Sequence, residues 1–252
     1  TPFVIGATEK AAQLSQHKPY FIYCNPREIL LESVERSRNV INSPNIVNFC
    51  WDVGPMALAG STRMQASTVL QWGVGLALFQ DTNNIRNEHS QFLKTYKNLS
   101  LLPLSELIDM ESRFYLEGNL IHYFVDEYAI TAFTDTTERS PTFSLQAFAP
   151  LESVSQQFSL SYISVSGTYD AETSWEQLLN RKPHCLDWQG KNQLSYDYLY
   201  RFDFSEEAFE KRKKLTDKSI YKFMISEKNG FLELAIEGGR CFQIKTTNLH
   251  LL

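Results

Sequence analysis

Gly54-Pro55-Met56-Ala57-Leu58-Ala59-Gly60-Ser61-Thr62-Arg63-Met64-Gln65 puts glycines, two hydroxyls and an arginine directly before a long helical pattern. Downstream, Ala66, Val69, Leu70, Gly73, Val74, Ala77 and Leu78 recur at helical spacing and predict a helix over about 61–80. The start of a helix exposes unpaired N–H groups and a partial positive charge, so such a segment can hold an anion. The alternative is local: Ser61 or Thr62 caps the helix and Arg63 sits on a solvated turn.

Working outward, residues 3–16 read as a helix and 19–24 as a short buried strand. Arg27 to Ile41 reads as one amphipathic stretch with Ile29, Leu30, Val34 and Ile41 facing inward, and 46–51 as a second strand after Pro44. Helices alternating with short apolar strands predict an α/β fold with a parallel sheet. Asp81 to Glu88 is the best linker, and Ser90 to Glu117 reads as helical with a break near Pro103. A strand at 119–124, a helix at about 127–134 and a strand at Tyr162–Val165 follow, and Asp170 caps a helix carrying Trp175, Leu178 and Leu179. The tail differs. Tyr221–Ile225, Phe231–Ile236 and Cys241–Ile244 are strand-like, and Asn229-Gly230 is a strong hairpin signal, so an antiparallel meander is expected.

Composition excludes several classes. A chain of 252 residues, 43% hydrophobic and 13% aromatic, is globular and long enough for one large or two small domains. A net charge of −5 argues against nucleic-acid binding, and Lys211-Arg212-Lys213-Lys214 reads as the basic end of a helix. Cys24, Cys50, Cys185 and Cys241 lack CxxC spacing and read as buried thiols of a reducing, cytoplasmic compartment, with no zinc site. No apolar run is long enough to span a membrane, and no signal peptide is recognised. The five histidines show no metal spacing, and His122 reads as a hydrogen-bonded structural imidazole.

Gly54-Pro55 with Gly60-Ser61-Thr62-Arg63-Met64 resembles the signature of N-acetylmuramic acid 6-phosphate etherases and glucokinase regulatory proteins, in the sugar isomerase (SIS) superfamily. Two charged positions of that pattern are Met56 and Gln65 here, a departure that bears on catalysis more than on fold. Thr1-Pro2-Phe3-Val4-Ile5-Gly6-Ala7 and Tyr20-Phe21-Ile22-Tyr23-Cys24-Asn25-Pro26 are similar to the segments that precede the signature. Asn119-Leu120-Ile121-His122-Tyr123 and Asp135-Thr136-Thr137-Glu138-Arg139-Ser140-Pro141-Thr142-Phe143 resemble the opening of a further SIS domain.

The resemblance implies tandem SIS units: the end of a first domain over 1–80, connecting helices over 81–118, and a divergent second domain over 119–252. A first residue inside the matched motif implies a fragment or processed chain, with a glycine- and serine-rich phosphate loop upstream. Phosphosugar binding near Thr1, Ser61, Thr62 and Arg63 is the implied function, with no cofactor. An etherase-like lyase or sugar-phosphate isomerase using Glu138 as acid–base group is the alternative. A further alternative is a regulatory scaffold for a partner sugar kinase; a homodimer is also open. The loop Phe124–Ile130 carries Asp126 and Glu127 where etherases have a phosphate cradle, which implies a lost site. Ser166-Gly167-Thr168 is a second possible phosphate turn.

Overall fold

The structure is a computed structural model, and it describes residues 2–58, 60–62, 64–153, 158–185, 196–237, 239 and 241–245. Among the described residues the chain is mixed α/β, with ten helices and two sheets. It divides into two compact units between Ser90 and Gln91, inside helix α5 (Ile85–Lys97).

The first unit holds α1 (Pro2–Leu14), β1 (Tyr20–Tyr23), α2 (Arg27–Ser33), α3 (Glu35–Ile41), β2 (Val47–Cys50) and α4 (Gln65–Phe79). Strands β1 and β2 pair in parallel from Tyr20↔Val47 to Tyr23↔Cys50, as the alternating pattern requires. Ile5, Phe21, Tyr23, Val40, Ile41 and Ile46 form its core. The single helix expected over Arg27–Ile41 is two, because Val34 is extended at φ −131° and caps both. Arg38 stabilises that break by donating from Nε to the Leu31 carbonyl and from Nη2 to the Glu32 carbonyl. Ile29, expected inward, is consequently exposed. Helix α4 begins at Gln65, later than expected, and buries Ala66, Trp72, Gly75 and Leu76, whereas Val69 and Leu78 are exposed. Gly73 is required by packing, since a Cβ there would lie 2.6 Å from the Trp51 ring.

The second unit adds α6 (Leu102–Leu116), β3 (Leu120–Val125), α7 (Ala129–Phe143), β4 (Ser161–Val165), α8 (Ala171–Leu179), α9 (Tyr196–Tyr200), α10 (Glu206–Lys213), β5 (Ile220–Lys228), β6 (Phe231–Ile236) and β7 (Cys241–Lys245). The helical stretch is interrupted at 98–101, as expected near Pro103, which lies in the first turn of α6, where its missing N–H costs nothing. The sheet order is β4-β3-β5-β6-β7. Strand β3 pairs in parallel with β4 and β5, and β5-β6-β7 is the expected antiparallel meander. Asn229 and Gly230 both take positive φ, at 54° and 78°, as a two-residue hairpin turn demands.

Flanked on both edges, β3 is buried at all six positions, and its alternate residues face opposite sides. Tyr123 meets α6 and α7 through Glu111 and Arg139, while His122 and Phe124 meet Phe209 of α10. Asp170 caps α8 with a capping box to Thr173, as its sequence signalled, and those hydrogen bonds hold its carboxyl below the usual range. Ser205 caps α10 by accepting from the Ala208 N–H, and the last turn of α10 is basic as expected.

Candidate functional site

In the first unit, the segment between β2 and α4 leaves the carboxyl ends of two parallel strands, where α/β proteins place ligands. The first turn of α4 organises it. Gln65 Oε1 accepts from the Ala57 N–H at 2.7 Å, and Gln65 Nε2 donates to the Val53 and Pro55 carbonyls at 3.4 and 3.2 Å. One neutral amide therefore bridges three backbone groups of the loop. Asp52 Oδ1 accepts from the Gly54 N–H at 2.9 Å. Gly54 and Gly60 are left-handed, at φ 71° and 84°, with open space where a side chain would stand. Met64 is the N-cap of α4 and no side chain caps it, so capping by Ser61 or Thr62 is not what starts this helix. Ser61 is buried, its N–H bonded to the Leu58 carbonyl, and Thr62 is exposed with its carbonyl accepting from Ser67. Thr1 and Arg63 lie outside the described residues.

Cys24 is buried as expected, whereas Cys50 and Cys185 are half-buried and Cys241 is exposed. Cys24 and Cys50 close the strand ends by donating to the Ala66 and Asn25 carbonyls. Burial pushes the Cys24 thiol up, so it is not an activated nucleophile.

In the second unit, the carboxyl ends of the parallel strands are occupied by the chain's own acids. After β3, Asp126 Oδ1 accepts from the Glu127 N–H at 2.6 Å, and the Tyr128 hydroxyl donates to Glu227 at 2.7 Å. After β4, the Gly167 N–H donates to Glu206 at 2.7 Å. An amide that would have to hold a phosphate oxygen in Ser166-Gly167-Thr168 thus already holds a carboxylate. The Thr168 hydroxyl is also engaged, donating to the Val165 carbonyl at 2.7 Å.

Glu138 is half-buried within α7, which runs beyond the helix expected at about 127–134. Its neighbour Arg139 joins three elements. Arg139 Nη1 donates to the Tyr123 hydroxyl at 2.9 Å and lies 3.6 Å from Glu111, while Nη2 pairs with Asp135 at 3.2 Å. Glu111 also accepts from Tyr115 at 2.8 Å and from Tyr123. Burial, followed by the charges around it, raises both tyrosines above their ordinary range, so they stay protonated donors in a network that joins α6, β3 and α7.

On the opposite face His122 is buried, and its Nδ1 has no hydrogen-bond partner, contrary to the expected bonded imidazole. Burial and then the nearby Arg212 charge lower its pKa to about 3, so it is neutral. Arg212 itself is buried, with Nη2 donating to the Ala149 carbonyl and the Tyr162 hydroxyl, and its guanidinium 3.9 Å from the Tyr162 ring centre.

A cavity of about 340 Å³ opens between α7, α8 and the segments flanking β4, walled by Phe133, Phe148, Trp175, Phe202 and Phe204. Sequence reading missed it, because its rings come from four separated stretches of chain. Glu206 was missed for the same reason, since it acts on the Gly167 amide 39 residues away, and Gln65 because side-chain ties to its own loop leave no mark in the spacing. Among the described residues no group of three or more His, Cys, Asp or Glu is placed to hold a metal ion, and no helix is long and apolar enough to cross a membrane. No protein-family model, curated protein or solved structure matches the chain.

Proposed function

We propose that this chain binds a sugar phosphate through its first unit, as a tandem member of the SIS group whose second unit no longer binds one. The observation that carries the reading is the loop from Trp51 to Met64. It leaves the carboxyl end of a parallel strand pair, turns on two left-handed glycines and is tied by Gln65 at three backbone points. Its resemblance to the Gly-Ser-Thr-Arg signature supplies the ligand class.

The contrast within the molecule supports the placement. Backbone amides after β3 and β4 donate to Asp126 and Glu206, and a phosphate there would have to displace an internal carboxylate. Glu138 then has no phosphosugar held beside it, which favours binding over turnover.

The test is calorimetric titration of the protein with N-acetylmuramic acid 6-phosphate and with hexose 6-phosphates, alongside an assay for lactate release. Saturable binding without turnover is expected. Arg63→Ala is expected to weaken it by about ten- to a hundredfold, the loss of one charge-assisted bond. Lactate release abolished by Glu138→Gln would replace this reading with a lyase. Absence of binding to every sugar phosphate, with capture of a sugar kinase, would replace it with a scaffold.

A further inference from the structure

The aromatic cavity of the second unit has a chemistry of its own, unrelated to phosphate. Its rings interlock edge to face: Phe133 with Trp175 at 5.6 Å and 72°, Phe133 with Phe204 at 5.4 Å and 74°, and Trp175 with Phe204 at 5.2 Å and 70°. Its inner polar groups are already engaged. Thr136 Oγ1 donates to the Ala132 and Phe133 carbonyls, Thr137 Oγ1 to those of Phe133 and Thr134, and Trp175 Nε1 to that of Phe202. The wall left for a ligand is therefore apolar.

At one end the lining changes character. Ser140 and Gln146 also line the cavity, and Ser140 belongs to the last turn of α7. Pro141 lies inside that helix and has no N–H, so the Thr137 carbonyl lacks the donor that a regular helix places four residues on. A helix carboxyl end carries partial negative charge and disfavours an anion. The polar end thus offers a hydroxyl, an amide and a carbonyl without its regular helical donor, in a field that selects a neutral hydrogen-bond donor.

We infer that this cavity is a binding site for a small neutral aromatic molecule bearing one hydroxyl or amine donor, with its rings among Phe133, Trp175 and Phe204 and its donor toward Ser140 and the Thr137 carbonyl. Size agrees: a cavity of about 150 Å³ holds one benzene ring, and about 340 Å³ accommodates two fused rings. Neither the site nor the ligand class depends on phosphosugar binding in the first unit.

The probe is 2-naphthol, titrated calorimetrically into the full chain, with 2-naphthoate and naphthalene as comparisons. One-to-one saturable binding of 2-naphthol is expected, with 2-naphthoate about tenfold weaker or worse, because its carboxylate must leave water for a negative helix end. Ala147→Trp, which fills the cavity from an exposed lining position, is expected to abolish binding. Ser140→Ala is expected to weaken 2-naphthol severalfold and leave naphthalene unchanged. No saturable binding of 2-naphthol overturns the proposal. So does equal binding of 2-naphthoate, or binding that survives in a folded Ala147→Trp protein.

Discussion

Replacing His122 by leucine is expected to flatten the acid side of the stability profile. His122 sits on the interior strand β3 against Tyr162 of β4 and Phe209 of α10, with Arg212 as the nearby cation and Lys222 beside it in register on β5. Its folded pKa of about 3 lies below the ordinary 6.5, so the unfolded chain binds a proton that the folded chain refuses. Stability from this group is therefore complete above pH 6.5 and is lost as pH falls toward about 3. At about 1.4 kcal/mol per pH unit, the loss reaches about 2 kcal/mol by pH 5 and up to ~5 kcal/mol in full. His122→Leu removes this dependence. It also removes an imidazole nitrogen that has no partner, an arrangement that costs about 1–3 kcal/mol, so the variant should match or exceed the parent at pH 7. Urea unfolding of both proteins at pH 7, 6, 5 and 4, followed by near-ultraviolet circular dichroism, isolates His122 because the other titrating groups cancel in the difference. Parallel curves for the two proteins, or a leucine variant much weaker at pH 7, would refute the reasoning.

Three further substitutions probe the framework. Ser205→Ala removes a fully buried cap of α10 and should cost about 1 kcal/mol in urea unfolding. Gly73→Ala drives a Cβ into the Trp51 ring and should cost about 1–3 kcal/mol, with a shift in tryptophan fluorescence. Arg139→Met leaves Glu111 against two protonated tyrosines without its cation and should cost about 1–3 kcal/mol in urea unfolding.

What the sequence disclosed was local. Asp170 and Asn229-Gly230 mark a helix start and a hairpin through neighbours within three residues, and both features are present. The parallel pairing of β1 with β2 and the antiparallel tail followed from apolar runs and their punctuation. Boundaries failed where tertiary contacts decide them. The break at Val34 depends on Arg38 reaching back to carbonyls six and seven residues earlier. Helix α7 runs on through Pro141, although proline reads as a stop. The loop before α4 was legible as a motif but not as a geometry. Nothing near Gln65 announces that it ties the Gly54-Pro55 loop, and Glu206 lies 39 residues from the amide it occupies. The burial of His122 is a property of two flanking strands and a helix that no single window contains.

Titration of a sugar phosphate into the parent chain and two variants tests the central claim most directly. Gln65→Leu removes the amide that holds the first-unit loop, and Glu206→Gln changes only the carboxylate at the second-unit turn. Saturable binding of N-acetylmuramic acid 6-phosphate or a hexose 6-phosphate to the parent is expected, weakened about tenfold or more by Gln65→Leu. No change is expected with Glu206→Gln. Binding that is indifferent to Gln65→Leu but altered by Glu206→Gln would place the ligand in the second unit and overturn phosphosugar binding in the first.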